Sequence, residues 1–115
     1  MWPSKWLPVE GDVCELLAQC RGLMGQAWAY STSHSQMLVR FYTPGSLAGI
    51  YLYCTGCDLV HFQSSWLDAN TRVEISQGRY GPVYTITDGE RLRIVCARAC
   101  LAESRDLLRL QEPSI

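Results

Sequence analysis

From Trp28 to Ala97 the chain alternates apolar and polar residues with a period of two, and no spacer there is long enough for a helical crossover. That pattern restricts the fold more than any other feature. Gln36–Tyr42 sets Met37, Val39 and Phe41 on one face and Leu38, Arg40 and Tyr42 on the other. Arg72–Ser76 turns Val73 and Ile75 inward and Arg72, Glu74 and Ser76 outward, and Arg91–Cys96 turns Leu92, Ile94 and Cys96 inward. Half-buried alternation with short connections marks antiparallel strands.

Two hairpins are predicted from turn residues. Asp88-Gly89 separates Val83–Thr87 from Glu90–Cys96. A two-residue loop pairs Thr87 with Glu90. A three-residue loop with Gly89 as a left-handed bulge pairs Ile86 with Glu90 and segregates the faces better, so it is the preferred register. Thr55-Gly56 is predicted to join Gly49–Cys54 to Cys57–Gln63 in the same way. Ile50, Leu52, Val60 and Phe62 then share one face, and Tyr51, Tyr53, Leu59 and His61 the other.

One amphipathic helix precedes the strands, at Asp12–Arg21. Asp12 caps it with Glu15 three residues on, Val13, Leu16, Leu17 and Cys20 form a single apolar stripe, and Gly22 ends it. The expected fold is therefore α+β, an N-terminal helix packed on an antiparallel meander of five to seven strands. At 115 residues the whole chain, 1–115, reads as one domain. Residues 1–8 form a Pro-punctuated extended lead-in, Leu101–Leu110 a short helix in preference to a last edge strand, and 111–115 a frayed tail.

Composition narrows the function. Ten Lys+Arg against eleven Asp+Glu leave a net charge of −1, which argues against nucleic acid or an anionic membrane as the partner. The opening residues lack the apolar core of a signal peptide, and no apolar run is long enough for a bilayer. A soluble, cytoplasmic protein with reduced thiols is the expectation.

Among chemical motifs, only the cysteines approach a site. Cys54 and Cys57 with Cys96 and Cys100 supply the four thiolates of a structural zinc module. If residues 96–100 continue a strand, however, their ends stand about 13 Å apart, too far to share an ion. Without zinc, no cofactor is implied. The Cys-x-x-Cys lacks the helix N-terminus that activates a redox dithiol. His34 and His61 are the only histidines, and neither has a nucleophile at contact spacing. Phosphate loops and nucleophile elbows are absent.

What remains is a binding domain rather than an enzyme. Nine of the ten basic residues are arginine, and the predicted second face is aromatic. Aromatic side chains and arginine supply most interface anchors, so Tyr51, Tyr53, His61, Trp66, Arg91 and Arg93 are the expected contacts for another protein. A small apolar ligand held between helix and sheet is a further possibility.

Overall fold

The computed structural model describes residues 6–8, 11–45 and 49–104, with the side chains of 6–8 and 103–104 left aside. It contains one short helix, α1 (Val13–Gln19), and the strands β1 (Trp6–Pro8), β2 (Met24–Ser31), β3 (Gln36–Tyr42), β4 (Gly49–Phe62), β5 (Ser65–Trp66), β6 (Arg72–Gly78), β7 (Gly81–Asp88) and β8 (Leu92–Ser104). All pairings are antiparallel, in the order β5-β2-β3-β4-β8-β7-β6, with β1 added to the end of β8. The fold is thus α+β and dominated by one sheet. Residues 1–5 of the predicted lead-in, 105–110 of the predicted C-terminal helix and the tail 111–115 lie outside the described residues.

The sheet is curled, and the chain path shows why. Six strand intervals of about 4.8 Å would put β5 and β6 about 29 Å apart if the sheet were flat. Residues 67–71 alone connect them, and six Cα steps reach at most about 22 Å. The linker is also tied inward, because Ala69 N–H donates to Leu23 O (2.8 Å) and Ala69 O accepts from Gly22 N–H (2.8 Å). Curling wraps the inner face around one apolar cluster that includes Met37, Val39, Phe41, Leu52, Cys54, Ile86, Leu92, Ile94 and Leu101. Leu17 of α1 and Cys20, the residue that caps its C-terminus, are buried in that cluster, and the Cys14 thiol reaches Val73 O of β6 at 3.9 Å. Asp12 caps the helix as the sequence predicts, accepting from Cys14 N–H (2.7 Å) and Glu15 N–H (3.3 Å).

Buried Asp88 fastens the linker. Its Oδ2 accepts from the Trp66 indole (3.1 Å), the Asn70 backbone (2.9 Å) and the Thr71 hydroxyl (2.9 Å), while Oδ1 pairs with Arg91. Arg91 also donates to the carbonyls of Leu67 and Asp68. Gly25 completes the arrangement, since the Trp66 ring occupies the space where a Cβ would stand.

Four sequence expectations are corrected here. Thr55-Gly56 is not a hairpin turn. β4 runs straight through it, because β8 is long enough to pair with both segments at once, from Ile50↔Glu103 to Phe62↔Leu92. Gly56 adopts φ 63°, and a bulge follows between Cys57 and Leu59. These two irregularities bring Cys57 inward yet leave Ile50, Leu52, Val60 and Phe62 on one face as expected.

The Asp88-Gly89 hairpin exists, with Gly89 at φ 55°, but its register is Asp88↔Leu92 and Ile86↔Ile94. This lies four residues from the preferred pairing. An even offset keeps the same faces, and the buried Asp88 cluster selects it. Leu101–Ser104 is strand, not helix, and central in the sheet because β4 and β1 flank it. Ile75 is 50% exposed rather than inward, since β6 is the last strand and the core ends there.

Candidate functional site

The predicted contact residues separate into three groups. Tyr51 and Trp66 are buried. Trp66 serves the Asp88 cluster, and Arg91 spends its guanidinium on the same cluster and the linker carbonyls. Tyr51 belongs to a second, smaller cluster with Trp28, Ala29 and Leu38, against which Tyr53 packs. Its ring meets Trp28 edge-on at 6.1 Å, and burial pushes its phenol pKa up. Arg40 lies over the Trp28 and Tyr42 rings at 4.8 and 4.2 Å. Alternation sets Trp28 opposite inward-facing Ala27, and the bulge between Ala27 and Ala29 brings Ala29 to this side as well.

His61 and Arg93 are brought together. They are directly opposed on β4 and β8, and the same cross-strand row continues through Thr87 to Arg72. Opposed residues share a face, so this row carries two guanidiniums, an imidazole and a hydroxyl across about 15 Å of sheet. The next row on that face is Leu59, Val95, Thr85 and Glu74. Arg72, His61, Arg93 and Glu74 are exposed, and Leu59 remains 43% exposed. The Asp88–Arg91 pair is the only ion pair among the described residues, which leaves Arg72 and Arg93 without a carboxylate there. Alternation in the sequence places each of these side chains outward. It cannot show that they form one row, because that depends on pairings between distant segments.

Tyr53 stands across from Cys100, beside an open cleft of about 510 Å³ lined with Thr55, Tyr84, Arg98 and Ala99. A second cleft of about 370 Å³ lies between the β6–β7 turn and Gly56, Asp58, Cys96 and Ala97. Neither is lined by a residue of α1 or by a histidine. His34 Nδ1 instead contacts the hydroxyls of Ser31 and Ser33, each at 3.1 Å, within the β2–β3 turn.

The four-cysteine zinc site is not formed. Among the described residues no group of three or more His, Cys, Asp or Glu side chains is placed to hold a metal ion. Strand β8 continues through residues 96–100, so Cys100 is exposed opposite Tyr53 while Cys96 is buried opposite Cys57. Cys54, Cys57 and Cys96 do converge. Cys96 lies within hydrogen-bonding reach of both partners. Its bond with Cys96 and then burial raise the Cys57 thiol far above its usual range. Contact with Cys54, together with burial and against the opposing effect of Cys57, pushes Cys96 up to about 12.

Among the described residues, no helix is long and apolar enough to cross a membrane. No family model, curated protein or solved structure matches this chain.

Proposed function

We propose that the chain is a non-enzymatic protein-binding domain whose contact surface is the outer face of β4, β8, β7 and β6, and that its partner presents acidic residues around an apolar anchor. The observation that supports this reading most is the Arg72–Thr87–Arg93–His61 row, whose arginines form no ion pair with a carboxylate among the described residues, beside exposed Leu59. Leu59 and Val95 offer apolar area, and arginine offers bidentate bonding to carboxylates. Exposed rim charges act mainly on association rate and on the choice of partner. In this reading α1 closes the inner face as part of the core, which leaves the outer face for binding. The domain works in the cytoplasm, where its thiols stay reduced.

Titration with amphipathic peptides of matched length, one acidic and one basic, tests the reading. The acidic peptide is expected to bind with an affinity that falls as salt rises, and Arg93→Glu to weaken it at least about tenfold without lowering the melting temperature. Equal binding of both peptides, or an unaffected Arg93→Glu variant, would overturn the reading.

A further inference from the structure

Cys57 and Cys96 are directly opposed in the β4–β8 ladder. The Cys57 N–H donates to Ser35 O (3.0 Å), on the β3 side. In an extended strand the N–H and C=O of one residue point the same way, so Cys57 directs its backbone bonds away from β8. Cys57 and Cys96 therefore form a non-hydrogen-bonded pair, the type that holds opposed residues closest, at about 4.5 Å between Cα atoms. That spacing falls within the range that a disulfide spans. Both side chains face the core cluster, and their thiols are already in hydrogen-bonding contact. All six cysteines are free in this structure. Access exists as well, because Cys57 is only half-buried and the cleft of about 370 Å³ is lined partly by Cys96 and its neighbour Ala97.

We propose that Cys57 and Cys96 are a dithiol that closes to a cross-strand disulfide when a small-molecule disulfide is supplied. The Cys57 thiolate attacks one sulfur of the oxidant, whose S–S bond breaks, and the first thiolate leaves and takes up the proton that Cys57 lost. Cys96, deprotonated in turn, attacks the Cys57 sulfur of the mixed disulfide and expels the second thiol. The protein loses two hydrogens, and the oxidant is reduced to two thiols. The product ties β4 to β8 beside Gly56, where the ladder is irregular. Cys54, in contact with Cys96, is the competing partner. The raised thiol pKa values keep the thiolate fraction low at neutral pH, so closure is slow at pH 7 and accelerates toward pH 9.

The test is to incubate the full chain with excess oxidised glutathione at pH 8, alkylate the remaining thiols, and map linked peptides by mass spectrometry. The expected product links Cys57 to Cys96 and melts on the order of 10 °C higher than the reduced chain. Cys57→Ser, which leaves Cys54 and Cys96 in place, is expected to lose both the link and the shift. Three results would overturn the proposal. One is glutathione attached at exposed Cys14 and Cys100 with no internal link, another is Cys54–Cys96 as the main product, and the third is a bridged chain that melts no higher than the reduced one.

Discussion

Replacing Asp88 is the sharpest perturbation of the fold. The residue is 1% exposed, and its two oxygens take four bonds, three from uncharged donors and one from the Arg91 guanidinium. Asp88→Ala leaves the Trp66 indole and the Thr71 hydroxyl facing a void and frees a guanidinium that is only partly exposed. Three donors without an acceptor, two of them buried, together with the lost ion pair, cost about 3–5 kcal/mol. Out of a total stability on the order of 5–15 kcal/mol, that is a large share. Asp88→Asn is milder, because its amide oxygen can keep the three Oδ2 bonds while its amide nitrogen faces Arg91, for about 1–3 kcal/mol. Arg91→Ala leaves the buried Asp88 carboxylate without its cation, though still held by three uncharged donors, and is expected to cost a comparable amount to Asp88→Ala. Urea unfolding measures the series. With a slope of about 1–3 kcal/mol per molar, Asp88→Ala is expected to lower the midpoint by roughly 2 M. A loss below about 1 kcal/mol for Asp88→Ala would refute the claim that this carboxylate fastens the linker.

Gly25→Ala places its methyl group inside the Trp66 ring, so it is expected to displace the indole and destabilise by about 2–4 kcal/mol, read from thermal melting and tryptophan fluorescence. Gly56→Ala must hold a side chain at φ 63° with its Cβ 2.9 Å from that of Ala97, and is expected to cost about 1–3 kcal/mol in the same melts. Burial pushes Cys20 up to about 11 from the ordinary 9.0, and Cys96 stands near 12, so the folded chain keeps thiol protons that the unfolded chain releases. The stability this gives is present below pH 9 and is lost as pH rises through 11–12. Urea midpoints measured from pH 8 to 11 are expected to fall, and a Cys20→Ala variant to fall less steeply.

Local signals were legible where one side chain acts on its own backbone or one strand meets one face. Asp12 at the helix start and the alternation of Met37, Val39 and Phe41 against Leu38 and Arg40 are of this kind. Thr55-Gly56 misled because positive φ serves a bulge inside a continuous strand as well as a turn. Only the length of β8, forty residues on, decides between them. The Asp88 hairpin kept its faces and changed its register for a related reason, since Trp66 and Thr71 approach from another segment and take the carboxylate. Residue type alone points Trp66 and Arg91 toward an interface, whereas in the structure both are occupied within the Asp88 cluster. The row from His61 to Arg72 depends on three separate strand pairings and was therefore hidden.

The outer face is tested most directly by photo-cross-linking, with a photoreactive residue placed at position 59 and, as a control, at exposed Arg21. In native extract, position 59 is expected to yield a discrete protein adduct that Arg93→Glu abolishes and position 21 does not reproduce. Position 59 giving no adduct, or the same adducts as position 21, would contradict a binding role for that face.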